Sequence, residues 1–249
     1  MKKPINVYWS PSFDLIDKKD WTFLYPQPEI LFSDIIKNKN KNIGNSSFFS
    51  CPAISNKFKK MLVFKNALSC SYTYSEDKEP YISPNTEHYL SIFRSRENNI
   101  NDGPIYKTGS GYLFFADEPV SVSFTPPYFH KPGFAKYASI IPGEFDIGQW
   151  LRPYAFEFQT WSKSGEIVLE EGEPLFYAEF KTDRPIILHR FNHTEILEKY
   201  SNACIGTTSL FGRGQTLQSR YNRFRSVGLR EKIMTEIQQN LIIDKKIKF

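Results

Sequence analysis

Cysteine, histidine and methionine are scarce in this 249-residue chain, and each scarcity excludes something. Cys51, Cys70 and Cys204 are odd in number and form no ligand-like cluster. That argues against a disulfide scaffold and for a reducing, cytoplasmic setting. The four histidines are His88, His130, His189 and His193. His193-Thr194-Glu195 has the His-x-acid form of iron-dependent oxygenases, but that facial triad needs a second, distant histidine. His193 is the last in the chain, so no downstream partner exists. No apolar run resembles a signal peptide or reaches the length of a membrane span. A Walker-type phosphate loop, a Gly-x-Gly-x-x-Gly fingerprint and a Gly-x-Ser-x-Gly elbow are all missing. The expectation is a chain with no metal, no cofactor and no membrane insertion.

What is abundant is aromatic: 16% of residues, with 22 Phe and 14 Tyr. Such side chains favour strands and carry much of the burial energy. Between Trp150 and Phe191 the pattern is clearest. Tyr154, Phe156 and Phe158 alternate with Ala155, Glu157 and Gln159, and Phe176, Ala178 and Phe180 alternate with Tyr177, Glu179 and Lys181. Period-two alternation marks half-buried strands, and Ser162–Gly165, Gly172-Glu173-Pro174 and Thr182–Pro185 mark the turns between them. Upstream, Ile5–Trp9, Trp21–Tyr25, Lys60–Phe64, Ala67–Tyr74, Tyr89–Arg94, Gly111–Phe115 and Val120–Phe124 read as further strands, with prolines at the breaks. Glu29–Ile36 reads as a short helix, 37–42 as a polar loop, and Gly109-Ser110-Gly111 as a turn.

After Phe191 the period changes. Asn192 with Glu195 three residues on predicts a helix start, and Gly206 its end. Leu217, Tyr221 and Phe224 predict a second helix, and Leu229, Ile233, Ile237 and Leu241 a third. The fold class is therefore mainly β, an antiparallel sandwich or jelly-roll-like barrel with C-terminal helices. Residues 1–191 form the β-rich core, and 192–249 form a helical segment of the same domain packed on it.

Two residue sets are candidates for function. An enzyme of the jelly-roll or barrel type, oxygenase-like or nucleotide-hydrolase-like, would place His130, His189, Arg190, Glu173 and Arg152 at the mouth of the sheet. On its strand His189 shares a face with Ile187 and Phe191, which suits a core histidine better than a ligand. The second set is Arg213, Arg220, Arg223, Arg225 and Arg230, half of the ten arginines within eighteen residues. Arginine presents a planar fork for phosphate or carboxylate, so nucleic acid is one partner these residues could take. A helix with Leu217, Tyr221 and Phe224 against the sheet and arginines in solvent is the simpler reading. The net charge of +5 is mild and fits an AT-biased coding sequence.

Two resemblances bear on this. Ile140–Phe145, Phe156–Phe158 and 172–176 resemble the strand order of deoxyuridine-triphosphate nucleotidohydrolases, and 211–214 resembles their glycine-rich closing segment. Their Gly-x-Ile-Asp-x-x-Tyr string does not occur; Asp146 is the nearest stand-in for its aspartate. Val7-Tyr8-Trp9, Trp21–Pro28, Trp150-Leu151-Arg152-Pro153 and Gly172–Leu175 are similar to a family of marine tailed phages of the cyanophage type and some bacteria, without assigned activity. That likeness implies a phage accessory or virion-associated component in the host cytoplasm or the virion. The leading expectation is thus a non-catalytic protein that works through protein–protein contacts or self-association.

Overall fold

The computed structural model describes residues 2–12, 25–38, 48–75, 78–83, 92–96, 103–210 and 216–249. Along the chain run β1 (Ile5–Ser12), β2 (Glu29–Ile30), α1 (Leu31–Asn38), α2 (Pro52–Phe58), β3 (Met61–Lys65), β4 (Cys70–Ser75), β5 (Lys78–Ser83) and β6 (Ile92–Arg96). Then come β7 (Ile105–Ala116), β8 (Ser121–Thr125), β9 (Ala138–Ile140), β10 (Gly143–Asp146), β11 (Pro153–Thr160), β12 (Ser164–Leu169), β13 (Pro174–Phe180) and β14 (Ile186–Phe191). The chain closes with α3 (Glu195–Leu210), α4 (Leu217–Ser226), α5 (Leu229–Gln239) and β15 (Leu241–Lys248). Expected strand 21–25 lies almost wholly outside the described residues, as do His88, Arg213 and most of the polar loop 37–42.

The fold is mainly β. One seven-stranded sheet has the order β15-β14-β1-β7-β11-β9, with β6 also on β7; a five-stranded sheet runs β10-β8-β13-β3-β2, and a three-stranded one β12-β4-β5. All pairs are antiparallel except β1 with β14, where Ile5 opposes Ile186 and Trp9 opposes Arg190. No hairpin ties these two strands, so only the sheet, and not a turn, dictates their direction.

The alternation read from sequence sorts each strand between two faces. Val7, Trp9, Tyr112, Phe114, Tyr154, Phe156 and Leu188 of the large sheet meet Leu62, Phe64, Phe124, Phe176, Ala178 and Phe180 of the second in one buried core. Strands β4 and β12 add Tyr72, Tyr74, Ile167 and Leu169. The intervening positions form two outer clusters. On the large sheet Tyr8, Leu113, Phe115 and Phe191 pack under Leu197, Phe224, Ile233 and Ile237 of the helices. On the second sheet Met61, Val63 and Tyr177 pack under Leu31, Ile35 and Phe58 of α1 and α2.

Several local expectations change. Gly109-Ser110-Gly111 lies inside β7, where Gly111 pairs with both Ser12 and Ala155. A long strand with neighbours on both sides supplies its ladder bonds, and these override the turn preference of the glycines. Helix α3 is capped by Thr194, whose hydroxyl accepts from the Leu197 amide at 3.2 Å, and it runs past Gly206. Leu241 does not continue the α5 stripe: Asn240 ends the helix and Leu241 opens β15, opposite Phe191. The 192–249 segment is therefore helical only as far as Gln239. One step along β14, His189 to Arg190, matches four along β15, Lys246 to Ile242, so three residues bulge out at 243–245. Bulges of this kind, with edge lysines, discourage pairing with further strands.

Phe176 lies at the middle of the main core, stacked on Phe64 at 4.6 Å and touching Tyr112, Phe124, Tyr154 and Phe156. Truncating Phe176→Ala is expected to cost about 3–5 kcal/mol in urea unfolding. A loss under about 1 kcal/mol would mean the ring cluster does not hold the two sheets together.

Candidate functional site

The most densely connected polar group lies on the outer face of the second sheet. Leu31 and Ile35 turn one side of α1 toward that sheet, and Asp34, on the same side, is 1% exposed. Pro126-Pro127 starts a tight turn, with the Tyr128 amide donating to Pro126 O and the His130 amide to Pro127 O. This brings the His130 ring between Asp34 and Tyr177, with Nε2 at 2.7 Å from Asp34 Oδ2 and Nδ1 at 2.5 Å from the Tyr177 hydroxyl. Lys65 Nζ reaches Asp34 Oδ1 at 2.6 Å and Glu29 Oε1 at 2.9 Å.

Burial alone would raise the Asp34 carboxyl; hydrogen bonds from His130 and Lys65 and the Lys65 charge outweigh it and hold the group at about 2. Burial pushes the Tyr177 phenol well up, so it keeps its proton. The ionised Asp34 carboxylate can only accept, so His130 Nε2–H donates to it, and the contact of Nδ1 with the Tyr177 hydroxyl completes the chain. Tyr177 is fully buried, so its hydroxyl cannot reach a substrate. What the arrangement does is fasten α1 and the 126–132 turn to the sheet.

His189 sits on the other side of the sandwich. Its ring stacks on Tyr8 at 5.2 Å, and Nε2 is 2.9 Å from Asn6 Oδ1. The Asn6 amide in turn donates to Asp117 Oδ2 at 2.7 Å. Burial, and next the Lys246 charge, lower the His189 pKa, so the ring is neutral and donates from Nε2. Both sheets and the core between them separate it from His130. Glu173 is elsewhere again, accepting from the Gly133 amide at 2.8 Å in the turn before β13. Arg190, on the inward face of β14, is 2% exposed, lies 4.9 Å over the Trp9 ring and donates to Tyr25 O at 2.9 Å. The five residues expected at a sheet mouth do not converge. Alternation explains it: neighbours His189 and Arg190 point to opposite faces of one strand.

The structure does join one of them to the arginine set. Arg152 and Arg220 both place their guanidinium on the Trp150 ring, at 4.9 and 5.1 Å. Helix α4 turns Phe224 inward against Phe115, and the Tyr221 hydroxyl accepts from the Asp146 amide at 2.8 Å. Outward it shows Arg223 and Arg225, with Leu217 at one end (45% exposed) and Val227 just past the other (56%). Arg230 belongs to the fold: it donates to Ala116 O at 3.0 Å and to Gly148 O, over the Phe115 ring. From Lys199 to Arg230 the sequence holds six cations and no carboxylate.

Asp146 makes a turn. Its carboxylate accepts from the Val120 and Gly148 amides and from Gln149. Burial pushes the Cys70 and Cys204 thiols up to about 11. Among the described residues, no three His, Cys, Asp or Glu side chains gather as a metal site would require. No described helix is long and apolar enough to cross a membrane. Comparison of the chain with protein-family models, characterised proteins and solved structures returns no match.

Sequence reasoning singled out neither Asp34 nor the Arg152–Trp150–Arg220 stack. Asp34 left a faint trace, as an acid on the same side as Ile30, Leu31 and Ile35; the stack left none. Asp34 generates a pH prediction. Its folded pKa is below the unfolded value, so its stabilisation is present above about 4 and is lost as pH falls toward 2. Urea unfolding should lose about 2 kcal/mol over that window from this group, and Asp34→Asn should flatten this part of the acid limb. Identical acid limbs in the two proteins would contradict the assignment.

Proposed function

We propose that the chain is a contact protein whose sandwich presents the outer surface of α4 to an acidic protein partner. The observation that carries this reading is the make-up of that surface: Arg223 and Arg225 between exposed Leu217 and Val227. Interfaces between proteins are enriched in arginine and apolar side chains and depleted in lysine and acids. A phosphate backbone would use the arginines and leave Leu217 and Val227 wet, whereas a protein partner would bury both kinds. The carboxylate-free run from Lys199 to Arg230 sets the sign of the partner. The likeness to a phage family makes the protein an accessory or virion-associated component, working in the host cytoplasm or on the particle.

Nucleic acid is the second reading, supported by the same arginines together with Arg152 and Arg220 on Trp150. A photo-crosslinking residue at Val227, in the producing cell, separates the two. The expected product is a nuclease-resistant protein adduct that Arg223→Glu with Arg225→Glu abolishes. A nuclease-sensitive adduct would transfer the function to nucleic acid. Absence of any adduct at Val227, with the same probe at Ile243 as comparison, would overturn both.

A further inference from the structure

At one open end of the sandwich the two sheets leave a cleft of about 220 Å³, lined by Lys60, Phe180 and Thr182–Pro185 on one side and Ile186 and Phe249 on the other. None of the candidate functional residues read from the sequence lies in it. Its floor follows from strand alternation. Phe180 is the last inward residue of β13, Ile186 the first inward residue of β14, and Phe249 packs against both, 6.0 Å from the Phe180 ring. Lys60, in the turn just before β3, is exposed at the rim of this floor.

Of the three charged residues that line the cleft, Arg184 and Asp183 have salt-bridge partners. Arg184 is held in a two-pronged pair with Glu118, at 2.5 and 2.9 Å, and donates to Lys3 O. Asp183 pairs with Lys2. Lys60 lies close enough to Asp183 to lower its pKa yet forms no salt bridge with it. The Thr182 hydroxyl accepts from the Arg184 amide at 3.1 Å, which leaves its own proton to donate. An apolar floor, the Lys60 cation and one available hydroxyl at the rim make a complementary set.

We propose that this cleft binds a small amphipathic monocarboxylate. Its hydrocarbon part lies among Phe180, Pro185, Ile186 and Phe249, and its carboxylate lies between Lys60 Nζ and the Thr182 hydroxyl. The small volume of the cleft suits a short acid. The site is independent of the α4 surface and stands whether or not that surface docks a protein.

Hexanoate is the probe, with hexanol as its uncharged counterpart, and amide and methyl NMR shifts at Ile186 and Phe249 are the readout. Hexanoate is expected to saturate with a Kd of about 1 mM. Lys60→Gln should weaken it about fivefold, and Lys60→Arg should restore it. Hexanol should bind the wild-type protein no better than hexanoate binds Lys60→Gln. No saturable shift at these residues up to about 20 mM would overturn the proposal. So would equal binding of hexanoate by the wild-type protein and Lys60→Gln, because the cleft would then recognise the chain and not the carboxylate. Lys60 is exposed, so the variant leaves the fold intact, and its unfolding curve verifies that.

Discussion

The structure depends on one constraint: aromatic rings from two sheets must interlock across a single interior. Phe124 of the smaller sheet stacks on Tyr154 of the larger at 3.8 Å, Phe156 meets Phe176 at 5.1 Å, and Trp9 meets Phe64 edge-on at 5.6 Å. Offset and edge-to-face pairs of this kind add to the burial of the rings themselves. They also set strand register, because a slip of one residue would turn every ring outward. That is why β1 can lie parallel to β14 without a hairpin to place it.

With the inner faces given over to rings, polar chemistry is pushed to the outer faces and the ends. The two outer faces use it differently. On the smaller sheet, Asp34, His130, Tyr177 and Lys65 tie α1 and the 126–132 turn down with direct hydrogen bonds between buried and half-buried groups. On the larger sheet the helices are held chiefly by apolar packing, with Arg230 and Tyr221 bonding to backbone atoms of the strands and loops beneath them. Each of these groups has its partners within the fold, which makes them fasteners, whereas Arg223 and Arg225 of α4 lie on the exposed surface. Arg190 is the exception in the interior: burial lowers its pKa, and it is accommodated over the Trp9 ring.

Legibility in the sequence followed the range of the interaction. Alternation is local, so the inward faces of β11 and β13 could be read from Tyr154-x-Phe156-x-Phe158 and Phe176-x-Ala178-x-Phe180 before any coordinates. The same locality misled where two periods overlap. Leu229, Ile233, Ile237 and Leu241 keep a four-residue spacing, yet Leu241 pairs with Phe191 because β14 offered an unpaired edge. Gly109-Ser110-Gly111 has the composition of a turn and was drawn into β7 by strands on either side.

Which side chains meet across the fold was not written in any local pattern. Asp34 and His130 are 96 residues apart in the chain, and Arg184 and Glu118 are 66. The sequence by itself determined many of the strands with their buried faces, the three C-terminal helices and the arginine-rich run, because backbone periodicity and residue chemistry act over a few residues. Only the tertiary structure decided the sheet order, the parallel β1–β14 pair, the separation of His130 from His189 and the place of Lys60 at the cleft. Those depend on how distant strands are stacked, and no short-range preference encodes that.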